Sequence, residues 1–385
     1  MSQKRTRRPY VTGRDELDTG IAELLDRIDE LPDRKREFGR QIMTTLFKML
    51  DEGGSVGDLK MMNSVFKELR WAFKVFGPAR STRKVSVFGS ARTKPEEAAY
   101  QQAVDFGAKM AAKGWGVITG AGDGIMGAAH GGAGFDKSYG VAIDLPFETS
   151  ANEIVRESPK LVNFKYFFTR KLVFLKETDA IVLFPGGFGT HDEGFEALTL
   201  IQTGKAEPLP VIFVEPEGND YWEEWHQYVL EHLEKPGMIS PNDLCLYRVT
   251  DEVDDAIAEI DRFYRVYHSQ RFVGQQLVMR LCGKLSEARL ELVNEKFSHL
   301  LKDGRIEQGE AVPGENQPEI AHLTRLTLHY TRADAAGLRE LIDFINDTPD
   351  DQVEGLGTAG PDPEEERADR GGMPEPDEPE DLDED

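Results

Sequence analysis

The chain has 385 residues, 39% of them hydrophobic, a formal net charge of -24 and two cysteines. That is enough for one sizeable domain of roughly 150 to 200 residues plus smaller attachments, and the acidity argues against a nucleic-acid partner, whose phosphates are gripped by clustered Lys and Arg. No run of about eighteen apolar residues is available to span a bilayer, and the basic start (Lys4, Arg5, Arg7, Arg8) leads into Thr12 to Glu16 rather than into an apolar signal core, so no membrane partner and a cytoplasmic location are expected.

The first stretch reads as helix. Ile21, Leu24, Leu25 and Ile28 recur at the helical period, as do Met43, Leu46, Phe47 and Leu50, until Gly53 and Gly54 break the run. Residues 1–80 are therefore expected to form an N-terminal helical extension. From Val85 short apolar runs alternate with amphipathic segments, the pattern of a parallel sheet covered by helices. Strands are expected at 85–88, 116–119, 139–145, 180–184 and 209–214. Between them Ala103, Phe106, Gly107 and Met110 are spaced i, i+3, i+4, i+7, and 165–177 and 191–203 behave alike. The expected fold class is α/β, a Rossmann-like doubly wound parallel sheet over residues 81–240.

Beyond it, an apolar run at 272–281, helix-like stretches at 285–301 and 336–345, and an alternating 323–330 predict a small α+β appendage over 241–349. Residues 350–385 read as a disordered acidic tail: from 351 onward fifteen Asp or Glu face only Arg367 and Arg370, so -13 of the net charge sits there. Cys245 and Cys282 have no metal-ligand spacing, and neither disulfide nor zinc is expected.

In an open parallel sheet the ligand sits at the carboxyl ends of the strands, and three turns there are rich in glycine. The first, Phe88 to Arg92, offers backbone N–H groups and the Ser90 hydroxyl, either to an anion or simply to close the turn. The second, Gly120 to Gly127, includes Gly122, Gly124 and Met126. Its sixth position is Ile125, which does not match the dinucleotide fingerprint, and no Gly-Lys-Ser or Gly-Lys-Thr follows, so neither a nicotinamide cofactor nor a Walker loop is indicated. The third, Phe184 Pro185 Gly186 Gly187 Phe188 Gly189 Thr190 His191 Asp192 Glu193, is the strongest. Gly186, Gly187 and Gly189 permit a tight loop with its N–H groups facing one way, and the helix dipole favours an anion. Thr190 serves either as helix N-cap or as a hydroxyl donor to phosphate. Glu193 and Glu196 lie on roughly one helical face, either for chemistry or to complement the dipole.

These residues resemble the LOG family of cytokinin-activating phosphoribohydrolases, once labelled lysine decarboxylases. Its Pro-Gly-Gly-x-Gly-Thr-x-x-Glu signature is matched by Pro185, Gly186, Gly187, Gly189, Thr190 and Glu193, and its upstream Arg-Lys pair by Arg170 and Lys171. Leu145 to Glu148, Asn152, Tyr166 to Phe168 and Leu198 to Lys205 are similar to longer bacterial members, so the resemblance covers about 85–235. His191 departs from it, standing where an apolar residue is expected.

The resemblance implies hydrolysis of the N-glycosidic bond of a nucleoside 5'-monophosphate, with Arg170 and Glu193 catalytic and no cofactor or metal. That chemistry builds positive charge on the ribose, which a carboxylate such as Glu193 stabilises while orienting water. Glu196 is expected at the ribose hydroxyls, and Ser90, Gly122, Gly124, Met126, Lys171, Gly186, Gly187, Gly189 and Thr190 around the nucleotide. Arg170 serves either the phosphate or Glu193, and Lys171 either the site or the surface. AMP is the expected substrate and a homodimer or higher oligomer the expected assembly. The rival reading is a nucleotide-binding or molybdenum-cofactor carrier built on the same loop.

Overall fold

The computed structural model describes residues 10–145, 151–315 and 317–357. The basic residues 4–8, residues 146–148 of the motif that starts at Leu145, and residues 358–385 of the expected tail lie outside them, whereas the first part of that tail is structured, Val353 and Glu354 pairing with Leu285 and Lys284. The chain divides into two compact units, residues 1–67 and 68–385. In the first, helices α1 (Asp15–Asp26) and α2 (Asp33–Asp51) bury Ile21 and Leu25, while Leu24 and Ile28 of the same stripe stay about half exposed. Helix α3 (Val56–Phe76) crosses the boundary, and its Ala72 and Phe76 belong to the core of the second unit.

Alternating burial defines the strands of that second unit. Along 180–184, Ile181 and Leu183 pack with Phe174, Phe213 and Trp222, whereas Ala180, Val182 and Phe184 pack with Phe106, Met110 and Ile257. Both faces are apolar, so both need helices over them. The sheet contains β1 (Lys84–Phe88), β2 (Gly116–Thr119), β3 (Ser138–Ile143), β4 (Leu161–Phe164), β5 (Ala180–Leu183), β6 (Val211–Val214) and β7 (Arg248–Thr250). Every pairing is parallel, in the order β4-β3-β2-β1-β5-β6-β7.

Helices α4 (Ala98–Ala112), α5 (Ile125–Ala133) and α9 (Val253–Phe263) supply core residues on one face, and α6 (Phe167–Glu177), α7 (Phe188–Gln202) and α8 (Tyr221–Val229) on the other. The fold is thus α/β, Rossmann-like and doubly wound. The chain order reverses beside β1, so the crevice for a ligand opens where β1 and β5 end. Strand β7 and helix α9, both past residue 240, belong to this layer.

After α9 the chain builds a four-stranded antiparallel sheet from β8 (Tyr267–Val273), β9 (Gln276–Leu281), β11 (Leu301–Gly309) and β12 (Thr324–Tyr330), in the order β11-β12-β9-β8. The short pair β10 (Lys284–Leu285) and β13 (Val353–Glu354) lies beside it in sequence. Helices α10 (Glu287–Phe297) and α11 (Ala335–Asn346) share one apolar core with these strands, around Leu281, Val293, Leu326 and Ile342. Among the described residues no helix is long and apolar enough to cross a membrane.

One buried polar network ties helix to sheet. The His130 ring on α5 is fully buried, and its Nε2 lies 3.1 Å from the Tyr139 carbonyl oxygen of β3. Asn152 Nδ2 donates to His130 Nδ1 at 3.1 Å and to the Gly122 carbonyl at 3.0 Å, so the ring is a neutral imidazole that carries its proton on Nε2. Burial pushes its pKa from 6.5 down to about 4. The unfolded chain therefore takes up a proton below about pH 6.5 that the folded chain refuses until about pH 4. Stability from this group is complete above the upper value and drains as pH falls between the two, by up to about 3 kcal/mol. Denaturant unfolding across that window should show the loss, and His130→Asn should flatten it. An imidazole that titrates near 6.5 by NMR in the folded protein would contradict this.

Candidate functional site

Three turns converge at the crevice, and Ser90 joins them. Its N–H donates to the Pro185 carbonyl at 3.1 Å, and its own carbonyl accepts the Ile125 N–H at 3.0 Å, so the turns after β1, β2 and β5 are stitched together through one residue. The Ser90 hydroxyl accepts the Arg92 N–H at 3.1 Å, which closes its own turn and leaves the hydroxyl proton to donate elsewhere.

The close approach demands glycine on both sides. At Gly124, φ is +61°, and a Cβ there would stand 2.3 Å from the Ser90 carbonyl oxygen. A Cβ at Gly186 would meet the Thr190 hydroxyl at 2.1 Å and the Ser90 nitrogen at 3.0 Å. Gly187 and Gly189 differ: an added Cβ at either meets nothing within 4 Å. The loop is packed against the protein at Gly186 and open at Gly187 and Gly189, and that opening lies at the positive end of α7.

Gly187, extended and outside the helix, is the N-cap of α7. Thr190 is inside the first turn and buried, so of its two expected roles capping is excluded. Met126, in the first turn of α5, folds its thioether back over Gly120 and Gly122. Asn152 steadies the second turn from outside, its N–H donating to the Ala121 carbonyl at 2.8 Å and its side chain to that of Gly122 at 3.0 Å.

The carboxylates come next along α7. Glu193 is 7% exposed, one turn past Thr190, and Arg170 Nη2 from α6 donates to its Oε1 at 3.1 Å. Arg170 thus contacts Glu193. Its Nε is buried with no hydrogen-bond partner among the described residues. Lys171 is far from a surface lysine: its Nζ lies 3.3 Å from Glu193 Oε2, 2.5 Å from Glu196 Oε2 and 3.0 Å from Asp192 Oδ2. The five charges sum to -1.

Burial pushes the Glu193 pKa above the usual carboxylate range, with Lys171 and Arg170 restraining the rise. Burial opposes the Lys171 charge too, but Glu196, Glu193 and Asp192 outweigh it and hold the ammonium above its ordinary pKa. The cluster therefore presents a desolvated acid, poised to exchange a proton, beside an open glycine loop.

Two contacts escape a reading of the sequence. The Tyr221 hydroxyl on α8 donates to the Gly186 carbonyl and so fixes the loop from behind. His191, the departure from the family pattern, places its ring 5.9 Å from that of Tyr221 and 5.4 Å from that of Trp222, and its Nδ1 is 3.1 Å from the Gly187 carbonyl oxygen. It fills the apolar position as an aromatic would.

A family model described as "Possible lysine decarboxylase" matches residues 125–260. The cytokinin riboside 5'-monophosphate phosphoribohydrolase of Mycobacterium tuberculosis is 30% identical over 158 residues, which cover 40% of this chain and 81% of that protein. The chain belongs to this family, the LOG family. Among solved structures, the molybdenum cofactor binding protein of Rippkaea orientalis is 18% identical, covering 47% of this chain and 96% of its own, with a TM-score of 0.34. The molybdenum cofactor carrier protein of Chlamydomonas reinhardtii is 20% identical, covering 47% and 97%, also with a TM-score of 0.34. Likeness at that level decides nothing about activity.

The glycine geometry makes a contrast that denaturant unfolding can measure. Gly186→Ala forces a methyl into Thr190 and should cost about 1–3 kcal/mol. Gly187→Ala and Gly189→Ala should be neutral, or slightly stabilising at Gly189, where alanine is the better helix former by up to about 1 kcal/mol. Equal destabilisation at all three positions would refute the open-faced loop.

Proposed function

We propose that this chain is a nucleoside 5'-monophosphate phosphoribohydrolase, which hydrolyses the N-glycosidic bond of AMP-like nucleotides to give free base and ribose 5-phosphate. The observation that carries the reading is Glu193, a buried carboxylate between Arg170 and Lys171, one helical turn beyond an open glycine loop. The name of the tuberculosis relative supports the same chemistry.

In this reading the 5'-phosphate sits on the N–H groups at Gly187 and Gly189 and on the Thr190 hydroxyl, where its binding energy orients the sugar. Ser90 and the turn holding Gly122, Gly124 and Met126 complete the crevice. As the bond to the base lengthens, its electron pair leaves with the base and C1' gains positive charge. Glu193 faces that charge and takes the proton of the water attacking C1', the departing base takes up a proton from solvent, and Glu193 then returns its own to solvent. The spare Arg170 Nε donates to a substrate oxygen, and Glu196 reads the ribose hydroxyls. No step requires a cofactor.

Glu193→Gln and Arg170→Ala should each lower turnover at least about a hundredfold, about 2.7 kcal/mol of barrier, in a folded protein. Near-normal turnover in either removes that residue from the mechanism. The Glu193 carboxylate is the working form, so activity should be lost as pH falls through a midpoint above the ordinary carboxylate value. Lys171→Met removes the strongest restraint on that rise and should move the acid limb to higher pH.

Substrate choice is read by incubating the protein with AMP, GMP, CMP, UMP, IMP and adenosine, with chromatography for base and a separate assay for ribose 5-phosphate. AMP should be cleaved and adenosine should be poor. Base release from adenosine as fast as from AMP would overturn the phosphate anchor, and tight nucleotide binding with no release would mark a carrier instead.

The assembly proposed is a homodimer or larger. Helix α6, which bears Arg170, leaves Phe167 and Phe168 about half exposed, an apolar pair suited to a twofold contact. Light scattering should give at least twice the chain mass. A monomer with full activity would exclude this assembly.

A further inference from the structure

A second cavity lies at the opposite end of the sheet. Arg83, Asp179 and Leu209, which line it, stand just before β1, β5 and β6, so it sits under the amino ends of the strands whose carboxyl ends hold the glycine turns. Its volume is about 340 Å³, within the range of small-molecule sites. Tyr264 and β8 close the far side, so the cavity is shared between the parallel sheet and the appendage.

Its chemistry is unlike that of the catalytic crevice. The walls are mostly apolar and aromatic: Phe73, Leu175, Leu200, Leu209, Tyr264 and Tyr267. Five charged side chains line it, Arg83, Lys176 and Lys205 against Asp179 and Glu207, and Glu177 behind Lys176 brings the sum to zero. Arg83 lies over the Tyr264 ring at 3.7 Å and 3.8 Å from Asp179, Lys176 is 2.7 Å from Glu177, and Lys205 and Glu207 both line the rim. Helices α6 and α7 end here, so the dipole that favours an anion at the start of α7 disfavours one at this end. With Glu177 counted against Lys176, a phosphate or carboxylate finds no net positive charge, whereas a flat apolar body finds aromatic faces.

We infer that this cavity is a second small-molecule site, for an uncharged planar aromatic ligand. The inference stands apart from the activity proposed above. A ligand there touches Leu175 on the helix that carries Arg170 and Leu200 on the helix that carries Glu193.

The test uses two dyes that share one ring framework, neutral N-phenyl-1-naphthylamine and its sulfonated analogue 8-anilinonaphthalene-1-sulfonate, with the full chain. The neutral dye should bind saturably, one per chain, at least about tenfold more tightly than the anion. Excess AMP should leave it in place. Ala206→Trp, in the loop after α7, and Leu175→Trp should each fill the cavity and weaken neutral-dye binding at least about tenfold, folding being checked by thermal melts. If one variant does not fold, the other decides. Equal binding of the anion, displacement by AMP, or unchanged binding in the folded variants overturns the inference. So does uptake that rises on dilution, which would mean a second copy of the chain fills the space.

Discussion

The site depends on the backbone of a single residue, Ser90. Through Ser90 the turns after β1, β2 and β5 are hydrogen-bonded to one another, and the backbones come so close that Gly124 and Gly186 have no room for a side chain. The order of the strands produces this meeting. Because the strand order reverses beside β1, the end of β1 is flanked by β2 on one side and β5 on the other. A crevice at a switch point is a general property of doubly wound sheets. Here its floor is pinned by backbone bonds, which no substitution at Ser90 other than proline removes.

Rigidity of the floor sets the electrostatics above it. One helix, α7, holds both an open glycine loop at its N-terminus and a buried carboxylate one turn further in. Left alone, Glu193 would answer burial by taking up a proton; the neighbouring α6 opposes this with Arg170 and Lys171. Lys171 is in turn claimed by Glu196 and Asp192, so the cations are shared rather than spent on one acid. The result is a cluster one charge short of neutral, which favours a cation forming beside it over an anion.

Much of this was legible in the sequence because it is local. Strands β1, β2, β3, β5 and β6 announced themselves as apolar runs followed by turns, and the third glycine loop together with Arg170 and Lys171 pointed to the cluster. Strand β4 alternates buried Val162 and Phe164 with Leu161 and the exposed Asn163, and β7 is three residues at the sheet edge, so neither has an unbroken apolar run to read. The contacts of Tyr221, Asn152 and His130 were illegible for another reason. Each bonds a carbonyl or ring distant in sequence, and hydrogen bonds to backbone leave no signature in the partner's identity. The role of Thr190 turned on whether the helix began before or after it, a boundary that composition does not fix.

Parallel strands give a doubly wound sheet two unlike ends. At the carboxyl end the helices begin, and their free N–H groups make any glycine-lined opening receptive to phosphate. At the amino end the helices finish, and their last carbonyls repel the same group. Helices α6 and α7 run between these ends, with Arg170 and Glu193 near one and Leu175 and Leu200 near the other. Each helix is about four turns long or less, and its apolar face is packed on the sheet through Val173, Phe174, Ala197 and Ile201. A shift of either helix would therefore be felt as a unit at both ends, because a close-packed face slides or tilts but does not compress. The distances of about 3 Å between Glu193 and its two cations span these two helices, so their relative setting, together with the burial of the acid, governs its charge.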